Sequence, residues 1–431
     1  MAKPPATQCI LVADFVPLAN KGEEAIVRGI QDMLQDERPL RIGLFDDVER
    51  VTHRDALVIF PRQWLFRLMG GPASTARQRS LHSVWLSLQL RLGYFGRLRN
   101  LIASTDPQMK ELGEFFKQTE CVIVGHDGVF NVESAALIHL AKKAGKRVGI
   151  LGSGSGIGRL GRYYQGWIFS RAIEESDFCY FRERYTLETM KMLHTEEDKL
   201  ELAPDPAFAM KPADSATVSE IFARHPALAA ARAAGRPMVS VTVLEKGLVY
   251  LYAFRHEPPG EKRERHARFV AQMLDELIRE RNAFVLFLPH SIERDASDVV
   301  AARHAAEAIS ASDENYYILD EDLSARELKG IIRDTDFLLG ERTHSLIGSV
   351  AVGAPFLGLT TSPDLRTHGI IGEMCGQQER LLDLDAPDVE EAKRLALKLF
   401  DRREADRESI AATGQDLLEQ LNQAAQVIKQ A

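Results

Sequence analysis

The chain has 431 residues, of which 45% are hydrophobic and 27% charged, an ordinary composition for a globular protein with substantial cores. This length predicts two or three domains. The formal net charge of -8 argues against a general nucleic-acid binder, because such proteins are usually basic.

Four cysteines lie far apart in the sequence, without the spacing of a metal site. Cys9, Cys121 and Cys179 sit in apolar runs, where cysteine behaves as a small core hydrophobe. No apolar signal stretch begins the chain, and no uninterrupted apolar run approaches the roughly 18 residues of a membrane-spanning helix. We therefore expect a cytoplasmic protein, and we expect neither a metal ion nor a cofactor.

Apolar runs typical of strands alternate with helical segments along the first half of the chain. A helix with Ile26, Ile30 and Met33 on one face follows the first strand. Strands that are apolar on both faces and separated by helices indicate a parallel sheet covered by helices. The predicted strands of this half are residues 9–13, 121–124, 148–151 and 178–181.

The same alternation restarts after a predicted linker at residues 211–215. We predict an α/β protein with two Rossmann-like domains, residues 1–212 and 213–387, facing a cleft, and a helical tail at 388–431. Ligands of such sheets bind beyond the carboxyl ends of the strands. The strands of the second domain are predicted at residues 238–244, 283–288, 316–319, 337–339 and 356–359, with helical spacing at 269–278 and 323–332.

Residues 61–105 contain seven arginines and several aromatic residues but no Asp or Glu. A basic surface with aromatic residues is suited to anionic lipid headgroups or a lipid-linked acceptor, which predicts peripheral membrane contact. The alternative is a helical insertion whose aromatic side chains are core and whose arginines pair with carboxylates elsewhere. Both interpretations remain open at this point.

The most specific motif is Arg342-Thr343-His344, which opens a helix after a buried strand that ends at Gly340. Four shorter motifs precede it, at residues 20–26, 181–186, 205–208 and 289–290. In this order at strand ends, they resemble the polysaccharide pyruvyl transferase family over about residues 9–375.

This resemblance implies a glycosyltransferase-B-like fold and an enzyme that transfers a pyruvyl group from phosphoenolpyruvate. The acceptor would be a sugar of a surface polysaccharide or of its lipid-linked precursor. Two hydroxyls of that sugar would form a cyclic ketal, and phosphate would be released. On these grounds the protein would work in the cytoplasm, with an association at the inner face of the membrane through residues 61–105.

By the same resemblance, Arg182 and Arg342 are the expected clamps for the donor, because a guanidinium binds carboxylate or phosphate bidentately and keeps its proton. The alternative for each arginine is an interdomain ion pair. His344 is the expected general acid, since imidazole titrates near neutral pH. Its alternative is a neutral histidine that caps the turn.

The weaker candidates also lie near predicted strand ends. Ser153 and Ser155 belong to a glycine-rich turn that could bind phosphate through backbone N–H groups, or be a plain turn. Glu23, Asp205 and His290 are candidates for acceptor binding or for support of the site. Helix-dipole stabilisation by Glu23, a turn-stabilising Asp205 and a structural His290 are the respective alternatives.

Three departures from the family pattern affect acceptor choice and activity. His126 and Asp127 stand between glycines that usually form a glycine-rich turn, Thr343 replaces a bulkier apolar residue, and a lysine is absent from residues 361–366. Arg366 or His368 is the expected substitute for that lysine. A nucleotide-sugar glycosyltransferase and a non-catalytic relative are the alternative functions, since fold alone does not set function.

Overall fold

The computed structural model of the protein describes residues 7–36, 38–46, 57–61, 110–125, 132–154, 159–193, 197–244, 256–292, 297–362, 364–385 and 388–430. The Arg-rich segment after Pro61, together with His126, Asp127 and Ser155, lies outside these ranges. The chain divides into two compact units. The first unit comprises Met1–Leu18, Ile30–Pro206 and Gln420–Ala431, and the second comprises Ala19–Gly29 and Ala207–Glu419.

The first unit contains a parallel sheet of seven strands in the order β3-β2-β1-β4-β5-β6-β7. Its strands are β1 Gln8–Phe15, β2 Leu40–Asp46, β3 Leu57–Pro61, β4 Cys121–Val124, β5 Arg147–Ser153, β6 Phe178–Phe181 and β7 Leu200–Leu202. Its helices are the later turns of α1 Lys21–Leu34, then α2 Lys110–Gln118, α3 Val132–Lys143, α4 Arg159–Glu175 and α5 Arg184–Lys191. A 3-10 turn at Glu197–Lys199 precedes β7, and another spans Pro206–Ala209.

The second unit contains a parallel sheet of six strands in the order β10-β9-β8-β11-β12-β13. Its strands are β8 Met238–Thr242, β9 Phe284–Phe287, β10 Tyr316–Ile318, β11 Phe337–Gly340, β12 Phe356–Thr360 and β13 Leu381–Asp383. Its helices are α6 Ser215–Arg224, α7 Pro226–Ala233, α8 Pro259–Arg281, α9 Asp298–Glu307, α10 Ala325–Asp334, α11 Thr343–Val352, α12 Val389–Asp401 and, as far as Glu419, α13 Arg403–Gln430. Short helical stretches lie at Asp313–Asn315, Leu365–Thr367, His368–Met374 and Gln378–Arg380.

Both sheets have the strand order of a Rossmann fold, in which the order reverses beside the first strand of the sheet. Their central strands are buried along their whole length, as the apolar runs predict, because helices cover both faces. The predicted α/β class with two Rossmann-like sheets is therefore confirmed. None of the helices in the described ranges is long and apolar enough to cross a membrane.

Four strands were not predicted from the sequence. β7 and β13 are sheet edges of three residues with partly exposed side chains, so they lack an apolar run. β3 is also a sheet edge, but its sequence is apolar throughout and was overlooked. β2 contains Arg41 and Gly43 within its apolar sequence. Phe115 and Phe60 pack where a side chain at Gly43 would stand, so that glycine makes room for aromatic packing.

The last helix packs tightly against α11 through a glycine. A Cβ built at Gly414 would lie 2.5 Å from the Val350 carbonyl oxygen and 3.2 Å from the Ala351 Cα. Both neighbours are backbone atoms, which cannot move aside as a side chain can. The helix therefore needs a residue without a side chain at this position.

We expect Gly414→Ala to lower the unfolding free energy by about 1–2 kcal/mol, because a clash with backbone outweighs the gain of about 1 kcal/mol in helix propensity. Gly260→Ala in α8 is the matched control, since no atom lies within 4 Å of a Cβ at that position. The control should be as stable as the wild type or slightly more stable. Urea unfolding measures both, and equal stability of the two variants would contradict the packing argument.

Candidate active site

Polar side chains gather in the second unit at the carboxyl ends of two strands, β9 and β11, which flank β8. β8 lies between β9 and β11 at the point where the strand order reverses. His290 follows β9, and Arg342 and His344 follow β11. This edge of a doubly wound sheet is where ligands bind, so the sheet brings three of the predicted site residues together in one unit.

Arg342 forms an ion pair with Asp298, the first residue of α9. Its Nε donates to Asp298 Oδ2 over 2.9 Å, and its Nη2 donates to Oδ1. The Asp298 side chain is 1% exposed and the Arg342 side chain 16% exposed. Both residues belong to the second unit, so this pair is not the interdomain ion pair considered as the alternative for Arg342.

The Asp298 carboxylate also holds the turn that contains His290. Its Oδ2 accepts hydrogen bonds from the backbone N–H groups of His290 at 3.0 Å and Ser291 at 2.9 Å. Burial raises the pKa of the Asp298 carboxyl, while Arg342 and these N–H groups act in the opposite direction. Four donor N–H groups face the two oxygens, and this leaves no acceptor for a proton on the carboxyl group, so we assign the ionised form.

His344 lies in the first turn of α11, with its imidazole packed against Gly22. A Cβ built at Gly22 would lie 2.9 Å from the His344 Cγ and closer still to Nδ1, so a side chain there would require the imidazole to move. The segment before Gly22 is tied to the turn after β9, since Lys21 N donates to His290 O over 2.8 Å and Ile292 N donates to Ala19 O over 3.1 Å. Motifs some 300 residues apart in the sequence thus meet around one imidazole.

His344 and His290 line a small cavity together with two buried lysines, Lys21 and Lys329. Lys21 Nζ lies 2.6 Å from Asp322 Oδ1. Lys329 Nζ donates to three backbone carbonyl groups, at Ala207, Phe208 and Met210. The cavity is therefore bordered by two fixed positive charges as well as two imidazoles.

His290 is a neutral histidine with an assigned tautomer. Its Nδ1 lies 3.1 Å from the Leu288 carbonyl oxygen, which can only accept, so Nδ1 carries the proton and Nε2 the lone pair. Burial lowers the pKa of His290 to about 3, and the electrostatic effects of Arg342, His344 and Lys21 act in the same direction. His290 can accept a hydrogen bond from a ligand but cannot supply positive charge near neutral pH.

Thr343, which departs from the family pattern, has a hydrogen-bonding role. Its hydroxyl lies 2.7 Å from the Thr367 hydroxyl, and Thr367 in turn donates to Asp364 Oδ2 over 2.6 Å. Thr343 is therefore the donor of the first bond. It links the start of α11 to the segment that carries Arg366 and His368, the two expected substitutes for the missing lysine.

The other predicted residues of the first unit are engaged inside that unit. Arg182 is 1% exposed, and its Nη1 donates to the buried Asp205 Oδ2 over 2.8 Å, while its Nε lies 3.6 Å from Glu183 Oε2. The Ser153 hydroxyl is buried and donates to the Gly154 carbonyl over 3.1 Å. Ser155 lies outside the described residues. Glu23, in the second unit, is buried in the first turn of α1.

Three site residues escaped the sequence analysis. Asp298 follows Ser297, whose side chain caps α9, and a Ser-Asp helix start soon after a strand end was the available signal. Lys329 interrupts the apolar face of α10, which is the mark of a buried charge. Lys21 stands inside a motif that was recognised, but nothing in the sequence distinguished it from a solvated lysine.

We expect His290 to make the protein less stable in acid, with a sign that follows from its lowered pKa. Between pH 6.5 and about 3 the unfolded chain binds a proton at this residue and the folded protein does not. The unfolding free energy should therefore fall as the pH falls, by about 1.4 kcal/mol per pH unit from this group alone.

The variant His290→Asn removes that contribution while its amide can still donate to the Leu288 carbonyl. Urea unfolding between pH 6 and 4 should show a shallower dependence on pH in the variant than in the wild type. Equal slopes would mean that the imidazole is protonated in the folded protein.

One family model matches the sequence. A sequence profile of the polysaccharide pyruvyl transferase family matches residues 20–363. No protein of curated function matches the sequence. The matched region includes the residues named above at the carboxyl ends of β9 and β11.

Solved structures resemble the protein in fold. A putative UDP-N-acetylglucosamine 2-epimerase from Listeria monocytogenes superposes with a TM-score of 0.53 at 12% identity, covering 94% of this chain and 91% of that one. An α,α-trehalose 6-phosphate synthase from Burkholderia multivorans superposes with a TM-score of 0.53 at 13% identity, covering 99% of both chains. These likenesses confirm the glycosyltransferase-B-like fold and, at such low identity, speak for the fold alone.

The family match covers most of the chain and includes the motif with Arg342 and His344. Its description indicates a transferase that acts on a polysaccharide, with a pyruvyl group as the group transferred. On this match, the protein belongs to the polysaccharide pyruvyl transferase family.

Proposed function

We propose that the protein transfers the pyruvyl group of phosphoenolpyruvate to a sugar of a surface polysaccharide or its lipid-linked precursor. A cyclic ketal forms on two hydroxyls of that sugar, and phosphate is released. The observation that carries the proposal is the position of Arg342. This residue lies only two positions before His344, and Asp298 holds its guanidinium. An anion clamp and a proton donor thus start the same helix.

Arg342 is the donor-binding group in this proposal. Asp298 engages Nε and one N–H of Nη2, which leaves the N–H groups of Nη1 for a carboxylate or phosphate oxygen. The first turn of α11 adds backbone N–H groups and the positive end of the helix dipole. The charges of Lys21 and Lys329 reinforce the attraction for a compact anion in a partly buried place.

His344 is the general acid. It donates its proton to the methylene carbon of phosphoenolpyruvate, which becomes a methyl group, while positive charge develops at the adjacent carbon. The first sugar hydroxyl bonds to that carbon and gives up its proton, and the bond to the phosphate oxygen breaks. The second hydroxyl then bonds to the same carbon and gives up its proton, so that one of the two protons restores His344 and the other leaves with phosphate.

His290 supports the reaction as a neutral acceptor, because its Nε2 lone pair can accept a hydrogen bond from a sugar hydroxyl or a protonated phosphate oxygen. Glu23 is assigned to the acceptor side. In the first unit, Arg182, Ser153 and Ser155 stay proposed as donor-binding residues. Asp205, whose carboxylate accepts from Arg182 Nη1, stays proposed on the acceptor side or as a support of the site. No metal ion or cofactor takes part in this scheme.

The proposal includes a lipid-linked acceptor and contact with the membrane. A lipid-linked acceptor would bring the protein to the inner face of the membrane, and the arginines of residues 61–105 would attract anionic headgroups there. That segment lies outside the described residues, so this part of the proposal depends on charge composition alone.

We expect His344→Asn to bind phosphoenolpyruvate with nearly the affinity of the wild type and to release phosphate at least about 100-fold more slowly. The reason is that removal of a general acid typically costs a factor of 10²–10⁴ in rate. Calorimetry measures donor binding, and a phosphate assay with a glycan acceptor measures turnover.

Each other outcome points to a different function. If the wild type binds a nucleotide sugar and not phosphoenolpyruvate, the alternative of a glycosyltransferase is correct. If the wild type binds phosphoenolpyruvate but releases no phosphate with any acceptor, the protein is a non-catalytic relative. Substantial turnover by His344→Asn would remove His344 from the chemistry.

The contact between Gly22 and His344 provides a second test, in which the histidine itself is unchanged. We expect Gly22→Ala to lower turnover at least about tenfold, because the added methyl group displaces the imidazole and small errors in position cost catalysis heavily. Donor affinity should change less than turnover, since Arg342 keeps Asp298. Gly260→Ala is again the control, and turnover of Gly22→Ala equal to that of the control would refute the constraint.

A further inference from the structure

The side chain of Asp298 connects several parts of this site. One carboxylate accepts from the Arg342 guanidinium and from the backbone N–H groups of His290 and Ser291. Its own backbone N–H donates to the Ser291 carbonyl over 2.8 Å. With its side chain 1% exposed, Asp298 is buried beneath the residues that would meet a ligand.

The two oxygens of the Asp298 carboxylate accept from different sets of donors. Oδ2 receives three donors, namely Arg342 Nε and the N–H groups of His290 and Ser291. Oδ1 receives Arg342 Nη2. The guanidinium is therefore fixed in its plane by two contacts on one partner, and the turn after β9 is fixed to the same partner.

We propose that Asp298 is a positioning residue, which orients the Arg342 guanidinium for the donor and aligns it with the His290–Ser291 turn. This inference rests on the proposed function, because it assigns how the same site achieves its affinity for the donor. Asp298 acts through Arg342 and does not touch the donor. A carboxylate at this position would repel a donor anion, yet its loss weakens binding, since a free guanidinium must be ordered each time an anion arrives.

The chemistry of an amide at this position makes the proposal testable. In Asp298→Asn the single amide oxygen takes the place of Oδ2, where three donors need an acceptor. The NH₂ group then faces Arg342 Nη2, donor against donor. The substitution therefore keeps the backbone contacts of the turn and selectively releases one edge of the guanidinium.

We expect Asp298→Asn to weaken the binding of phosphoenolpyruvate about tenfold by calorimetry, as loss of one contact to a charged group would. Asp275→Asn is the matched control. Asp275 also accepts from backbone N–H groups of a turn in the second unit, those of Ser310 at 2.9 Å and 3.0 Å and of Ala311 at 3.2 Å. Its replacement should leave donor affinity within about twofold of the wild type.

A double-mutant cycle separates action through Arg342 from general damage. Arg342→Gln removes the charge and keeps an amide that can donate to Asp298. In that background Asp298→Asn should change donor affinity by less than about twofold. A further tenfold loss would show that Asp298 acts independently of Arg342, and the proposal would be overturned. Donor binding by the single variant Asp298→Asn as tight as that of the wild type would also overturn it.

A second variant at the same position serves if Asp298→Asn does not fold. Should Asp298→Asn fail to fold in a thermal melt, Asp298→Glu replaces it. Glu keeps the charge but shifts the carboxylate by one methylene, so we again expect weaker donor binding, and unchanged affinity would overturn the proposal. If the wild type itself does not bind phosphoenolpyruvate, both the proposed function and this inference fail. If the wild type binds it and the Asp298 variant binds it with the same affinity, only the inference fails.

Discussion

A buried carboxylate–guanidinium pair organises the second unit. Taking two charges out of water is expensive, and the expense is recovered only when nearly every donor and acceptor of the pair is engaged. The Asp298 oxygens meet this condition with four hydrogen bonds, and two of these bonds orient the partly exposed Arg342 guanidinium. The same carboxylate thus ties the segment after β9 to the residue that follows β11.

Residues of the same type around this pair have different environments. His290 and His344 are two imidazoles on one cavity, yet burial and neighbouring cations keep His290 neutral, whereas His344 stands at the partly exposed start of a helix. Lys21 and Lys329 are both buried, one beside a carboxylate and one among carbonyl oxygens. Each of these two lysine side chains is therefore held in place by its own partners.

The sequence predicted the central strands and the helix that carries Arg342 and His344, because long apolar runs and strand-end motifs are local signals. It could not predict the partners of those residues. Nothing local to Arg342 indicates Asp298, 44 positions earlier, and nothing local to Arg182 indicates that its guanidinium is buried against Asp205. Edge strands such as Leu381–Asp383 escaped because a half-exposed strand has no distinctive composition. Local patterns thus predict elements, while pairings between distant residues decide which polar groups remain available.

The segment Ala19–Gly29 belongs to the second unit, although the strand just before it belongs to the first. Glu24 accepts from Ala325 N, and Lys21 pairs with Asp322, across 301 positions of sequence in both cases. Closing a loop of that length carries an entropic cost before any contact repays it, and topologies rich in such closures assemble slowly. The contact between Gly22 and the His344 imidazole closes a loop of similar length, so it carries the same kind of entropic cost.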